Sequence, residues 1–253
     1  MVAPRIAVID DDKDILLLTA EVLSSAGHRP EAYSDAEVAL AAMRASPPAL
    51  VLLDVHLGAT TGMDVCRRIR TDPALALLPV ILVTGAAVEV ADQVLGFAVG
   101  ADDYVLKPWT PSLLLARVGA VLRRSSEIAT QAPLVYGPLT LDPARREAHV
   151  EGAPLVLTPT EFRILLRLVS RPERAWTRSE LLEEGLEGEE VRRAGRHVDV
   201  HVLAIRNKLG VWRELVQTAY RVGYRAAPLA SLAPRPLPLV LPAEVAPAAA
   251  RRA

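Results

Sequence analysis

The feature that most constrains this chain is a set of short apolar runs, each ended by a charged or hydroxyl-bearing residue. Ile6-Ala7-Val8-Ile9 runs into Asp10-Asp11-Asp12, Ala49 to Leu53 into Asp54, Val80 to Val83 into Thr84, and Asp103 to Leu106 into Lys107. Amphipathic stretches such as Ile15 to Ser25 and Met63 to Arg70 lie between them. Strands that alternate with helices predict a parallel sheet covered on both faces, an α/β doubly wound fold. In such sheets the working residues sit just beyond the carboxyl ends of the strands. Asp10, Asp11, Asp54, Thr84 and Lys107 occupy those positions, so four strand ends converge on one charged site.

Residue types then suggest a chemistry. Three carboxylates held close together repel one another unless a cation sits among them. Mg²⁺ suits that place, because it takes hard oxygen ligands and keeps some of its waters. Asp54 directly follows the central strand and is the expected nucleophile, since a carboxylate can accept a phosphoryl group as an acyl phosphate. The metal and the Lys107 ammonium would offset charge on the transferring group. Thr84 can donate its hydroxyl to a phosphoryl oxygen. A single acid at a strand end is commonly just a solvated loop residue; the whole set at these ends is not explained that way.

The runs from Ile6 to Asp12, Leu52 to Leu57 with Gly62, Pro79 to Thr84, and Gly100 to Trp109 resemble a response-regulator receiver domain, with the match covering residues 4–124. The resemblance implies five strands and five helices, with Asp54 as phosphoacceptor and Asp10 and Asp11 as the acidic pair. It implies the main-chain carbonyl of His56 as a further Mg²⁺ ligand, Thr84 and Lys107 as phosphoryl partners, and Tyr104 as the aromatic switch. It also implies a cis bond between Lys107 and Pro108. Gly58 stands where the family commonly has proline, and is expected to loosen the loop after Asp54. In the family, active receivers pair through the fourth helix, fifth strand and fifth helix. Here Gln93, Asp102, Asp103, Leu113 and Arg117 fall on that face, with the family's ring of charged pairs depleted.

Composition bears on where the chain works. The single Cys66 cannot form an internal disulfide, which fits a reducing cytoplasm. No apolar run reaches the ~18 residues of a membrane span, and no signal peptide is evident, so a cytoplasmic protein without membrane contact is expected. Residues 1–124 carry 11 Lys+Arg against 15 Asp+Glu, and residues 125–253 carry 18 against 15. An acidic half joined to a mildly basic half fits a metal or phosphate site coupled to a nucleic-acid partner.

The second half opens with β signals at Leu134-Val135-Tyr136, Leu139-Thr140-Leu141, Arg146 to Val150 and Leu155-Val156-Leu157. Thr158-Pro159-Thr160-Glu161 and Thr177-Arg178-Ser179-Glu180 then read as capping boxes that open helices. The first should bury Phe162, Leu165, Leu166 and Val169. A third helix, from about Arg192 to Leu209, should turn Val198, Val202, Ile205 and Leu209 inward. Its other face would carry Arg196, His197, Val200, His201, Ala204 and Lys208. Val216-Gln217-Thr218 and Val222-Gly223-Tyr224 read as a hairpin.

Short strands, three helices and a hairpin predict an α+β winged helix whose basic helix can enter the DNA major groove. Leu157 to Phe162, Arg196 to Gly210 and Thr218 to Tyr224 closely resemble the OmpR/PhoB winged-helix effector type over residues 134–226. That resemblance implies a homodimer on tandem DNA half-sites, phosphorylated by a cognate sensor histidine kinase to control transcription. This chain has Leu203 and Ala204 where the family commonly has basic residues. In the wing Tyr220 replaces the family's arginine and Arg221 its glycine, so the positive charge moves one residue along and Arg221 becomes the expected DNA contact. Glu187, Glu189 and Glu190 crowd the loop that in the family can touch RNA polymerase.

The expected domains are a receiver at 1–124, a linker at 125–133, the winged helix at 134–226, and an Ala/Pro-rich, disordered tail at 227–253. Two rival classes are weighed against this reading. A Mg²⁺-dependent aspartyl-phosphate phosphatase would need a substrate cap and a dedicated general acid, neither of which is evident, so no enzyme activity is expected. A phosphorylation-independent DNA-binding regulator with a vestigial receiver conflicts with the intact acid, threonine and lysine set.

Overall fold

The computed structural model describes residues 3–58, 60–85, 99–129, 131–182 and 189–232; for 127–129 and 189–197 it describes the backbone alone. In the first half, β1 (Arg5–Ile9), β2 (Arg29–Tyr33), β3 (Leu50–Asp54), β6 (Val80–Gly85) and β7 (Asp103–Lys107) form one sheet in the order β2-β1-β3-β6-β7. Every pairing in it is parallel. All five residues of β3 are buried, as its unbroken apolar run requires. Strand β2 has no apolar run to announce it: Arg29-Pro30-Glu31-Ala32-Tyr33 lies at the sheet edge, where a proline costs no ladder bond on the open side.

Helices cover both faces. Ala39, Leu40 and Met43 of α2 (Ala36–Ala45) and Val65, Cys66 and Ile69 of α3 (Gly62–Thr71) pack one face. Leu16 and Leu23 of α1 (Lys13–Ser25) and Leu114 and Val118 of α4 (Pro111–Ala129) pack the other. Asp12, Asp35 and Thr61 cap the first three helices with their side-chain oxygens. Helix α4 continues to Ala129, so the segment read from sequence as the start of a linker is helical over 125–129.

Loop β3–α3 holds a two-stranded ribbon, β4 (His56–Leu57) against β5 (Thr60–Thr61). Gly58 turns it with φ +59°, a left-handed angle that proline's ring forbids. A proline at position 58 could not adopt this turn.

The second half opens with an antiparallel sheet in the order β11-β10-β9-β8, built from β8 (Leu134–Tyr136), β9 (Leu139–Asp142), β10 (Glu147–Val150) and β11 (Ala153–Pro154). The last strand falls two residues ahead of its expected place, although Leu155 and Leu157 are buried. Helices α5 (Pro159–Ser170), α6 (Arg178–Leu182) and α7 (Glu189–Leu209) follow, with β12 (Trp176–Thr177) joined to the hairpin β13 (Val216–Ala219) and β14 (Gly223–Ala226) in the order β12-β14-β13. Both capping boxes form. The Thr158 N–H donates to Glu161 Oε2 at 2.7 Å and the Thr177 N–H to Glu180 Oε2 at 2.8 Å, each returned by the glutamate N–H to the threonine hydroxyl. Phe162, Leu165, Leu166 and Val169 meet Val198, Val202, Ile205 and Leu209 in one core. Beyond the hairpin the chain packs for a few residues more: the Tyr136 hydroxyl donates to the Ala227 carbonyl at 2.6 Å, and Leu229–Ser231 makes a single 3₁₀ turn.

Candidate functional site

The parallel register brings the strand ends level. Ligand oxygens of Asp10, Asp11 and Asp54 all lie within 4.8 Å of one another. Asp10 and Asp54 are only 3% and 4% exposed, whereas Asp11 faces solvent. Lys107 reaches into the group from the end of β7, its Nζ 2.7 Å from Asp10 Oδ2 and 2.7 Å from Asp54 Oδ1. Burial pushes the Asp10 carboxyl above its ordinary range, with the Lys107 and Asp12 hydrogen bonds pulling the other way. For Lys107, burial alone would lower the ammonium's pKa, but its bonds to the two carboxylates outweigh that and raise it. The lysine is held charged among the acids.

Thr84, at the end of β6, is 3% exposed, and its hydroxyl oxygen has no hydrogen-bond partner among the described residues. A buried hydroxyl left unsatisfied costs free energy. An oxygen-rich group arriving beside Lys107 would supply what Thr84 lacks. Three converging hard-oxygen ligands likewise fit a divalent cation such as Mg²⁺. The backbone around Asp54 is fixed from both sides: the His56 N–H donates to Asp54 Oδ2 at 2.6 Å. At Gly62 a Cβ would lie 2.0 Å from the Asp54 carbonyl oxygen, so no side chain fits there. Tyr104 is half-buried against the sheet on β7, and the Lys107–Pro108 bond is cis.

The outward face of α7 differs from its expected composition. His201 is 1% exposed and packs inside, so it cannot serve as a surface contact. Lys208 is drawn back to α5, its Nζ 2.6 Å from Glu161 Oε2 in a buried capping box. Val200 and Ala204 are half-buried, and among the described side chains of this helix Asp199, Leu203, Asn207 and Lys208 are the exposed ones. Arg196 and His197, with Glu189 and Glu190, lie in the stretch of α7 described by backbone alone, and Glu187 and Gln93 lie outside the described residues. Arg221 stands exposed at the hairpin tip.

Residues not anticipated from sequence brace this region. Arg206 donates through Nε and Nη2 to the Val216 carbonyl at 3.0 and 2.9 Å, and through Nη2 to Thr218 Oγ1 at 3.0 Å. Asp199 Oδ1 accepts from Arg178 Nε and from the Tyr224 hydroxyl, both at 2.7 Å. A polar position on a helix next to a predicted hairpin is the one sequence signal that could have singled these out.

The expected dimer face is also occupied. Asp102 is buried, takes an ion pair from Arg70 at 2.9 Å and accepts the Val80 N–H. Its other oxygen accepts the N–H and hydroxyl of Thr160, at 3.0 and 2.7 Å, in the first turn of α5. Asp102 is thus not a free surface acid but a link between the two halves. Arg124 Nη1 adds a bond to the Leu182 carbonyl at 2.9 Å. Asp103 pairs within its own chain with Arg117 and Arg124, each at 3.5 Å, and Leu113 stands partly open beside them.

Such an acid site at the strand ends, joined to a winged helix, defines a phosphoacceptor receiver coupled to a DNA-binding effector. Residues 6–119 match the family described as response regulator receiver domain, and residues 152–226 the family described as transcriptional regulatory protein, C terminal. The chain is 38% identical over 226 residues to the phosphate regulon transcriptional regulatory protein PhoB of Pseudomonas aeruginosa, covering 89% of this chain and 98% of that protein. It is 37% identical to the DNA-binding response regulator MtrA of Mycolicibacterium smegmatis, over 88% of this chain and 97% of the relative. A solved structure of a RitR mutant has the same fold, with TM-score 0.72 at 22% identity, covering 89% of this chain and 99% of that one. The chain belongs to the OmpR/PhoB family and is a two-component response regulator that controls transcription.

Proposed function

We propose that Asp54 takes the phosphoryl group from a cognate sensor histidine kinase, and that its added charge governs how the effector half engages tandem DNA half-sites as a homodimer. The observation that carries this reading is the gathering of Asp10, Asp11, Asp54 and Lys107 at the strand ends, with the buried Thr84 hydroxyl, unpartnered among the described residues, at the end of the neighbouring strand. In the transfer, an Asp54 oxygen bonds to phosphorus as the donor's bond to phosphorus breaks, and the donor's leaving atom keeps that electron pair. Asp10, Asp11, Asp54 and the His56 carbonyl would hold Mg²⁺, which supplies charge neutralisation for the transferring group. Lys107 then shifts from carboxylate to phosphoryl oxygen, Thr84 donates its hydroxyl proton in a hydrogen bond, and Tyr104 follows inward on the same strand.

Arg196, His197, Val200 and Ala204 on α7, with Arg221, form the DNA-facing set. The tie between α7 and the hairpin through Arg206 and Asp199 supports α7 as the helix that enters the major groove. Glu187, Glu189 and Glu190 are the polymerase-facing acids. Gln93, Asp102, Asp103, Leu113 and Arg117 serve the dimer once the link through Asp102 opens. The relatives' names as transcriptional and DNA-binding regulators support a protein that works in the cytoplasm, and no helix among the described residues is long and apolar enough to cross a membrane. Incubation with acetyl phosphate and Mg²⁺ followed by peptide mass spectrometry tests the acceptor. Modification should fall on Asp54 and vanish in Asp54→Asn; modification at another residue overturns the assignment.

A further inference from the structure

Away from the strand-end acids and the DNA-facing set, one cavity of the effector half collects positive charge. It measures about 570 Å³ and lies among α5, the turn after it, β12 and α6. That volume is in the range of small-ligand pockets. Arg163, Arg167 and Arg171 are spaced four apart, so they follow one side of α5 and run off its end. All three line the cavity, together with Arg174, Trp176 and Glu180. The core side of the same helix is apolar, with Phe162, Leu165 and Val169.

Glu180, the one acid among the described lining residues, is already engaged. Its Oε2 accepts the Thr177 N–H at 2.8 Å and the Thr177 hydroxyl at 2.9 Å, and its Oε1 accepts from Arg174. The arginines are set in place by neighbours. The Arg174 guanidinium carbon lies 3.9 Å from the centre of the Trp176 ring and that of Arg167 5.0 Å. Arg167 also donates to the Glu180 carbonyl. A stacked guanidinium keeps its planar fork of N–H donors. Trp176 itself is 6% exposed, and its indole N–H has no hydrogen-bond partner among the described residues. A buried donor left unsatisfied costs free energy, which an arriving acceptor would recover.

We propose that this cavity binds a diphosphate group, carried as free pyrophosphate or at the end of a nucleoside diphosphate. Guanidinium forks pair with phosphate oxygens two bonds at a time, which suits a multiply charged, oxygen-rich anion. Four such forks bracket two linked phosphates better than one. Trp176 is buried beneath its arginines, so no open aromatic face among the described lining residues is left for a base to stack on. The phosphates alone are read. None of the strand-end acids lines the cavity, so the site is separate from the Asp54 centre and needs no divalent cation.

The full chain is titrated calorimetrically with pyrophosphate, ADP and orthophosphate in separate runs. EDTA is present throughout, so that the strand-end acids hold no cation. Pyrophosphate and ADP should each bind once per chain, with affinities within about tenfold of each other. Orthophosphate should bind at least about tenfold more weakly, because it forgoes charge-assisted bonds. Arg171 is exposed, so its replacement spares the core. Arg171→Glu should weaken pyrophosphate by about tenfold or more. An unfolding midpoint equal to that of the wild type checks that the variant is folded. No saturable binding of pyrophosphate in EDTA overturns the site, as does a folded Arg171→Glu protein that binds pyrophosphate like the wild type. ADP binding more than about tenfold tighter than pyrophosphate overturns the claim that the phosphates alone are read.

Discussion

The receiver's acid site and the effector's DNA face handle charge in opposite ways. In the receiver, Asp10 and Asp54 are almost wholly buried and share one ammonium, because four parallel strands end at the same level. On the effector, charge is spread along one side of a helix and much of it is tied to neighbours, as in Lys208–Glu161 and Arg178–Asp199. A buried site is fixed by backbone position, and each of its members has a single place to be. An exposed helix face tolerates rotation of the stripe by one residue, so its membership depends on packing from the far side.

That contrast predicts its largest effect where a buried charge is stranded. Asp102→Ala removes the carboxylate from Arg70, whose side chain is only 9% exposed, and the acceptor from Thr160, and should cost about 3–5 kcal/mol, read as a lowered urea midpoint. A loss under ~1 kcal/mol, the value of an exposed pair, would mean that Arg70 and Asp102 are solvated and the contrast too sharply drawn.

The next effect separates structure from DNA contact on the effector. Lys208→Met should cost about 2 kcal/mol of effector stability, because buried Glu161 loses a charged partner. The salt slope of DNA binding should stay unchanged. A fall of about 0.9 would return Lys208 to the phosphate contacts.

The smallest effect concerns the pairing face. Exposed ion pairs contribute only ~0–1 kcal/mol each, and Asp103 pairs within its own chain. Leu113→Glu should therefore weaken the phosphorylated dimer more than Gln93→Ala does, with little dependence on salt. Sedimentation at low and high salt measures this; strong dissociation by salt would make the face mainly electrostatic.

Much of this was legible in sequence where local rules and tertiary packing agree. Both capping boxes, the inward stripe from Val198 to Leu209 and the strand-end acids follow from spacing alone. The edge strand Arg29–Tyr33 was not legible, because none of its residues is fully buried and it carries no apolar run. His201 reads as surface by residue type, yet its position on α7 turns it inward. Asp102 looks like a spare acid because its partners Arg70 and Thr160 lie 32 and 58 residues away, on another helix and in the other half of the chain. The brace from Arg206 to the hairpin has the same origin: a polar side chain's partner across a turn is set by geometry that no periodicity encodes.

The central claim is that charge placed on Asp54 is transmitted to the DNA face. Affinity for a selected operator should be measured with and without acetyl phosphate and Mg²⁺, in the full chain and in Asp54→Asn. Phosphorylation should tighten binding by the wild type and leave Asp54→Asn unchanged. Equal affinity of the wild type in both states, with Asp54 shown to be modified, would contradict it.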